Sequence, residues 1–283
     1  MRQNIQSMLC VLVSCFCLSG CSVSFIYNNL SWLSSWYLDD YVSLSAKQQQ
    51  QFDEGFNAFQ YWHRTTQLVI YYQQLEQLKR QIIKGISEDQ IKSHRTLVQT
   101  YWTNLITRAK PQLIELTYSL DEAQRNTLLK SIKENNEARY NDNKPDNIES
   151  WHQERCEIQQ GFYKKWLGRL TNSQKQKICH YIKATSPLAE LRFEYSQAWF
   201  KNIESALLIT ISRAEYESLF TEIITNSNAL KSDQYRILLA SNTEIYVNLF
   251  HVMMNSLNDT QKQHLIAELN ELIEVLKILE FDS

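Results

Sequence analysis

Residues 166–178 read WLGRLTNSQKQKI. Gly168 has no Cβ and can take the left-handed conformation that closes a helix, while Thr171 and Gln174 form the S/T-x-x-Q phrase that opens the next one. In such a capping box the threonine hydroxyl accepts from a backbone N–H of the first turn. The glutamine side chain reaches back to the threonine's own N–H. Seven residues past the cap, two turns along the same face, stands apolar Ile178. The stretch therefore predicts a tight helix-to-helix turn.

The phrase recurs. An apolar residue, a Ser, Thr, Asp or Asn, two variable residues and Gln or Glu occupy 44–48, 86–90, 120–124, 170–174, 211–215 and 257–261, with caps at Ser45, Ser87, Asp121, Thr171, Ser212 and Asn258. The position seven past the cap is Phe52, His94, Leu128, Ile178, Leu219 or Leu265, so the first core-facing position is expected to travel with the cap. Gly85 stands before the second box as Gly168 does before the fourth. The whole chain has only 5 glycines and 3 prolines, too few for the turns of a sheet-rich fold.

The starts lie roughly 34 to 50 residues apart, more than one ordinary helix fills. The expected fold is all-α, an array of antiparallel helical hairpins with about ten helices in a single elongated or two-lobed body. Pro111 and Pro187 are placed to open second helices in two of the intervals. The polar run YNDNKPDNIES, residues 140–150, suits a loop and divides an N-terminal half, 21–140, from a C-terminal half, 151–283, with 141–150 as the connection.

Ahead of the first box the chain has the features of an export signal. Arg2 is followed by a mostly apolar run over residues 8–18, too short to span a membrane as a permanent helix, and then by Leu18-Ser19-Gly20-Cys21. That sequence resembles the lipobox of bacterial lipoproteins, which implies removal of residues 1–20 and acylation of Cys21; the other reading is an ordinary signal peptide with an incidental cysteine. Ser22 in the next position, by the same resemblance, implies sorting to the outer membrane, facing the periplasm. No later segment offers a long uncharged apolar run, so the membrane is expected to be reached through the lipid alone. A formal net charge of −2 gives no bulk attraction for nucleic acid.

The block SFIYNNLSWLSSWYLDDYVSL, residues 24–44, is dense in aromatics. On a helix Phe25, Trp32 and Trp36 form one stripe, with Ile26, Leu30, Leu33, Tyr37 and Tyr41 beside it. The face can lie at a membrane interface, where Trp and Tyr are favoured, or pack on the following helices. Packing is the expectation, since an aromatic face beside a globular body usually finds a core. Trp32, Trp36, Tyr37, Tyr41 and Trp62 are the candidate interaction-surface residues.

YNNLSWLSSWYLDDYVSLSAKQQ (27–49), YWHR (61–64) and WLGRLTNSQKQ (166–176) resemble the bacterial lipoproteins grouped as domain-of-unknown-function family 6279, with the aromatic block the most specific part and nearly all of the chain beyond Cys21 covered. The resemblance implies an all-helical envelope lipoprotein and no defined activity. The repeated Leu-Thr-x-x-Gln also resembles a small periplasmic chaperone family that forms helical cradles for unfolded clients.

Cys156 and Cys179 flank the turn at 168–171. Antiparallel helices would bring them level to within about 6 Å, and an oxidising compartment favours a disulfide between them. His152 and His180 lie beside these cysteines, but at spacings poorly matched to a zinc site, and no metal or other cofactor is expected. Asp53, Glu54, Trp62, His63 and Arg64 supply acid, base and cation, yet on one helix they spread around the cylinder. The pair Asp39–Asp40 is expected to stay solvated. No phosphate loop, dinucleotide fingerprint or serine elbow occurs. The sequence thus points away from catalysis and from a small-molecule substrate, towards a lipid-anchored protein that engages another envelope protein, with a client-holding chaperone as the alternative.

Overall fold

A computed structural model describes residues 20–208 and 211–281; the leader up to Ser19 lies outside them. Every regular element among the described residues is helical. In chain order they are α1 (Gly20–Asn28), α2 (Leu30–Asp39), α3 (Ala46–Trp62), a π-helical segment (His63–Gln67) running into α4 (Leu68–Lys84), and α5 (Glu88–Ser119). Then come α6 (Glu122–Asn143), α7 (Ile148–Leu167), α8 (Asn172–Lys183), α9 (Ala189–Leu208), α10 (Arg213–Thr225), a 3-10 turn (Ser227–Leu230), α11 (Asp233–Met254) and α12 (Asp259–Phe281).

All six expected caps open helices. Ser45, Ser87, Asp121, Thr171 and Ser212 each form the reciprocal box. In the sixth, the Gln261 N–H donates to Asn258 Oδ1 at 2.9 Å and the Asn258 N–H to Gln261 Oε1 at 3.3 Å. Two further starts, at Asn147 and Ser232, lack Gln or Glu three residues on and so escape the pattern. Gly85 and Gly168 both have positive φ and end α4 and α7.

The hairpin expectation fails in the first two intervals. From Ser45 to Gly85 the chain is helical without a break, α3 passing through the π segment into α4. The next interval is the single helix α5, and Pro111 lies inside it rather than opening a second helix. Proline removes one backbone bond there. The helix persists because its two ends are gripped separately, by Ile91 in one core and Ile114 in another. Pro187 sits two residues ahead of α9, outside its first turn. The polar run is largely helical as well: α6 continues to Asn143 and α7 begins at Ile148, leaving four connecting residues.

Three apolar clusters hold the body. The first joins Ile82, Ile86 and Ile91 to Leu167, Ile178, Leu249, Met253 and Leu265. The second gathers Ile114, Leu129, Phe200, Leu207, Tyr216 and Phe220. The third ties Tyr27 of α1 and Leu68 of α4 to Val275 and Leu279 of α12. Each draws on residues from both sides of the 144–147 connection, so the two halves read from the sequence share their cores and pack as a single body.

Seven residues past the caps, Ile178 and Leu265 are buried, Phe52, His94 and Leu128 half-buried, and Leu219 exposed. The cap glutamine shares that face, four residues earlier. Where Gln174 and Gln261 are buried so are Ile178 and Leu265, and where Glu215 is exposed so is Leu219, the core positions of α10 falling instead to Tyr216 and Phe220. A cap fixes where a helix begins and leaves its rotation to the neighbours.

Candidate functional site

The capping glutamines position more than their own helices. Gln48 and Gln124 exchange side-chain bonds, Nε2 of each donating to Oε1 of the other at 3.0 and 2.8 Å. The same Nε2 atoms also donate to the Ser119 and Ser43 carbonyls at 2.8 and 2.9 Å. The starts of α3 and α6 are thereby locked to the end of α5 and the connection after α2. Arg125 secures the next neighbour, donating from Nη1 to the Leu207 carbonyl of α9 at 2.9 Å.

Between α2, α3, α5, α6 and α9 this frame leaves an open groove of ≈ 680 Å³. Its floor is the stripe Phe52, Phe56 and Phe59 on α3, with ring centroids 6.0 and 6.3 Å apart along the row. Leu113 and Leu116 of α5, Leu128 and Ile132 of α6, and Trp199 of α9 form the walls. Tyr37, Leu38 and Tyr41 close one rim. Gly55 lets α3 approach α5, since a Cβ there would stand 2.9 Å from Gln112 Cγ.

Few polar groups stand at the groove, and of these the buried Gln112 Oε1 has no hydrogen-bond partner among the described residues. The Glu115 carboxylate is held by Arg213 at 2.5 Å, which keeps it below the usual carboxylate range. The Tyr37 and Tyr41 hydroxyls share a hydrogen bond of 2.9 Å. Burial first, then that bond, pushes Tyr41 up to about 12. The surface thus suits an apolar ligand that asks for few specific hydrogen bonds.

Of the candidate surface residues, Tyr37 and Tyr41 line the groove while Trp32 and Trp36 stand outside it. The expectation that the aromatic face packs inward is overturned for its main stripe: Phe25 is 69% and Trp32 67% exposed, and Trp36 and Tyr37 are exposed too. Tyr27, in neither stripe, is the residue that enters the core. Trp62 is half-buried against Phe59, with the Arg108 guanidinium 5.9 Å from its ring. The sequence reading missed Phe56, Phe59 and Trp199; the first two were legible as F-x-x-x-F-x-x-F within residues 52–59, whereas Trp199 carries no local signal.

The motifs YNN and YWHR meet in space. The Tyr27 hydroxyl and His63 Nδ1 are 2.8 Å apart, Arg64 donates to Asn28 Oδ1 at 2.8 Å, and Gln60 donates to the Tyr27 carbonyl at 2.6 Å. These contacts clasp α1 to the end of α3 and the π segment, where Thr65 and Thr66 also bond back to the Tyr61 and Trp62 carbonyls. Asp53 and Glu54 are occupied elsewhere, Asp53 by Ser35 and Gln49 and Glu54 by Gln50, and do not converge on His63. Asp39 and Asp40 are exposed at the end of α2.

Burial holds His63 and His94 below the ordinary histidine pKa, so the fold favours the neutral form of both rings. An unfolded histidine titrates near about 6.5. As pH falls through that value, the unfolded chain takes up protons that the folded chain refuses until its lower pKa is reached, and stability drops over that interval. Urea midpoints measured from about pH 7.5 to about pH 5.5 are expected to decline, and a His63→Gln/His94→Gln variant to flatten the decline.

Cys156 and Cys179 are joined in a disulfide, their Cα atoms 4.9 Å apart, with Gln160 Nε2 donating to both sulfurs. His152 donates from Nε2 to the Thr185 carbonyl at 2.9 Å, and His180 packs edge-on to Tyr181. Among the described residues no three His, Cys, Asp or Glu side chains are placed to hold a metal ion, and no helix is long and apolar enough to cross a membrane.

A family model described as a family of unknown function (DUF6279) matches residues 40–236. Most of the N-terminal aromatic block precedes that match and α12 follows it, so the match is shorter at both ends than the resemblance drawn from the sequence. No curated protein and no solved structure matches the chain.

Proposed function

The chain belongs to the family of unknown function DUF6279, and from that premise we propose a lipid-anchored binding protein of the cell envelope, tethered at Cys21 to the outer membrane and engaging one envelope partner through the apolar groove. The observation that carries this reading is the groove itself, ≈ 680 Å³, with Phe56 on its floor and Leu113 and Trp199 on its walls. The lipobox at 18–21 supports the tether, and the clasp of Tyr27 and Asn28 on the π segment supports a fixed distance between tether and groove. Binding is favoured over catalysis because, among the described residues, the groove is lined by no nucleophile with a base beside it. A client-holding chaperone remains the second reading, on the same apolar concavity.

Photoreactive residues at Phe56 and Leu113, with exposed Ile237 of α11 as the control, test this in living cells. One discrete adduct from the groove positions, absent at Ile237, is the expected result. A broad smear of client proteins would favour the chaperone, and equal labelling at Ile237 would remove the groove from consideration. Intact mass of the membrane-extracted protein checks the tether, which requires cleavage before Cys21 and an added acyl mass.

A further inference from the structure

Trp199 lines two cavities at once: the apolar groove and a second cavity of ≈ 610 Å³ between α5, α6, α9 and α11. Both volumes fall in the range of ordinary ligand sites, about 300–1,000 Å³. Their chemistry is opposite. The second cavity presents the cations Arg139, Arg192 and Lys231 together with the amides Asn136 and Asn143, and among the described residues no Asp or Glu side chain lines it. The carboxylate beside it, Glu190, is bonded by the Tyr140 hydroxyl. Lys231 donates to Asn228 Oδ1 at 2.7 Å and holds its ammonium 5.8 Å from the ring centroids of both Tyr195 and Tyr235.

An apolar groove and a cationic pocket that meet at Trp199, with Arg139 near enough to Tyr41 of the groove rim to act on its charge, are complementary to an amphiphile with a negative head. We propose that the two cavities bind one anionic lipid, its acyl portion against Phe56 and Leu113 and its phosphate between Arg139, Arg192 and Lys231. Guanidinium groups suit phosphate because their N–H donors form a planar fork. An apolar protein segment would fill the groove alone and leave Arg139 and Arg192, which make no ion pair among the described residues, without a counter-charge, whereas an anionic lipid supplies both chemistries in one molecule. The inference rests on the groove being the binding surface and names its ligand.

The test titrates full-length protein with dioctanoyl phosphatidylglycerol, dioctanoyl phosphatidylcholine and glycerol phosphate. The phosphatidylglycerol is expected to bind one to one, at least tenfold more tightly than the other two. Leu113→Glu, at a 41% exposed position that tolerates charge, should abolish binding, and Arg139→Glu/Arg192→Glu should weaken it tenfold or more. Brominated acyl chains should quench fluorescence that a Trp199→Phe variant lacks. Equal binding of both lipids, indifference to the arginine reversal, or glycerol phosphate binding as tightly as the lipid would each overturn the proposal. If no lipid binds while Leu113→Glu still abolishes the adduct in cells, this inference falls and the groove reading stands; if the adduct also survives, both fall.

Discussion

Gln174→Ala is expected to destabilise the protein by about 3 kcal/mol in urea unfolding, well above the cost of truncating an unpaired cap. Gln174 and Gln261 are 3% and 2% exposed, and their side chains bond each other in both directions at 2.9 and 2.8 Å. Gln174 also accepts from the Thr171 N–H at 3.0 Å, and Gln261 donates to the Arg169 carbonyl at 2.9 Å. Removing one amide costs the cap, about 1 kcal/mol, and takes one donor and one acceptor away from its buried partner, at about 1–3 kcal/mol more. The same change at Gln90, whose box is not paired with another, should cost only about 1 kcal/mol. The double variant Gln174→Ala/Gln261→Ala should lose clearly less than the sum of the two singles, because the bonds between the two amides are already lost in either single variant. Strict additivity would show that the two amides act independently.

Reduction of the Cys156–Cys179 disulfide is the second large effect, a loss of about 3 kcal/mol from the added freedom of the unfolded chain. The bridge closes a loop of sequence separation 23, and Cys156 belongs to the first core. Unfolding with and without reductant, checked against a Cys156→Ser/Cys179→Ser variant, measures it. The variant should remain folded, since α7 and α8 also meet through Tyr163, Leu167, Ile178 and Ile182. Collapse of the fold on reduction would mean that the shared core contributes less than its burial implies.

The helical class, six of the helix starts and the glycine turns at 85 and 168 were legible in the chain because each is fixed within about five residues by hydrogen bonds between near neighbours. The juxtaposition of Cys156 and Cys179 was legible for a related reason: a short turn between two helices constrains the distance across it. What misled the reading were features whose outcome depends on remote partners. Pro111 looks like a helix start, yet it sits inside α5 because that helix is held at both ends by different clusters. Phe25 and Trp32 look like core residues, yet Tyr27 takes the place beside Leu68 and Leu279, which turns the stripe outward.

The sequence by itself determined where helices begin, because a capping box is a local contest between a side chain and its own backbone. Only the tertiary structure decided which boxes pair. The six phrases are chemically near-equivalent, yet Gln48 meets Gln124 across a separation of 76 residues and Gln174 meets Gln261 across 87, while Gln90 and Glu215 find no such partner. Those pairings follow from the burial of three clusters that each draw residues from distant parts of the chain. Trp199 acquires its place between an apolar groove and a cationic pocket in the same way, since the walls come from five helices and are brought together only by that cooperative burial.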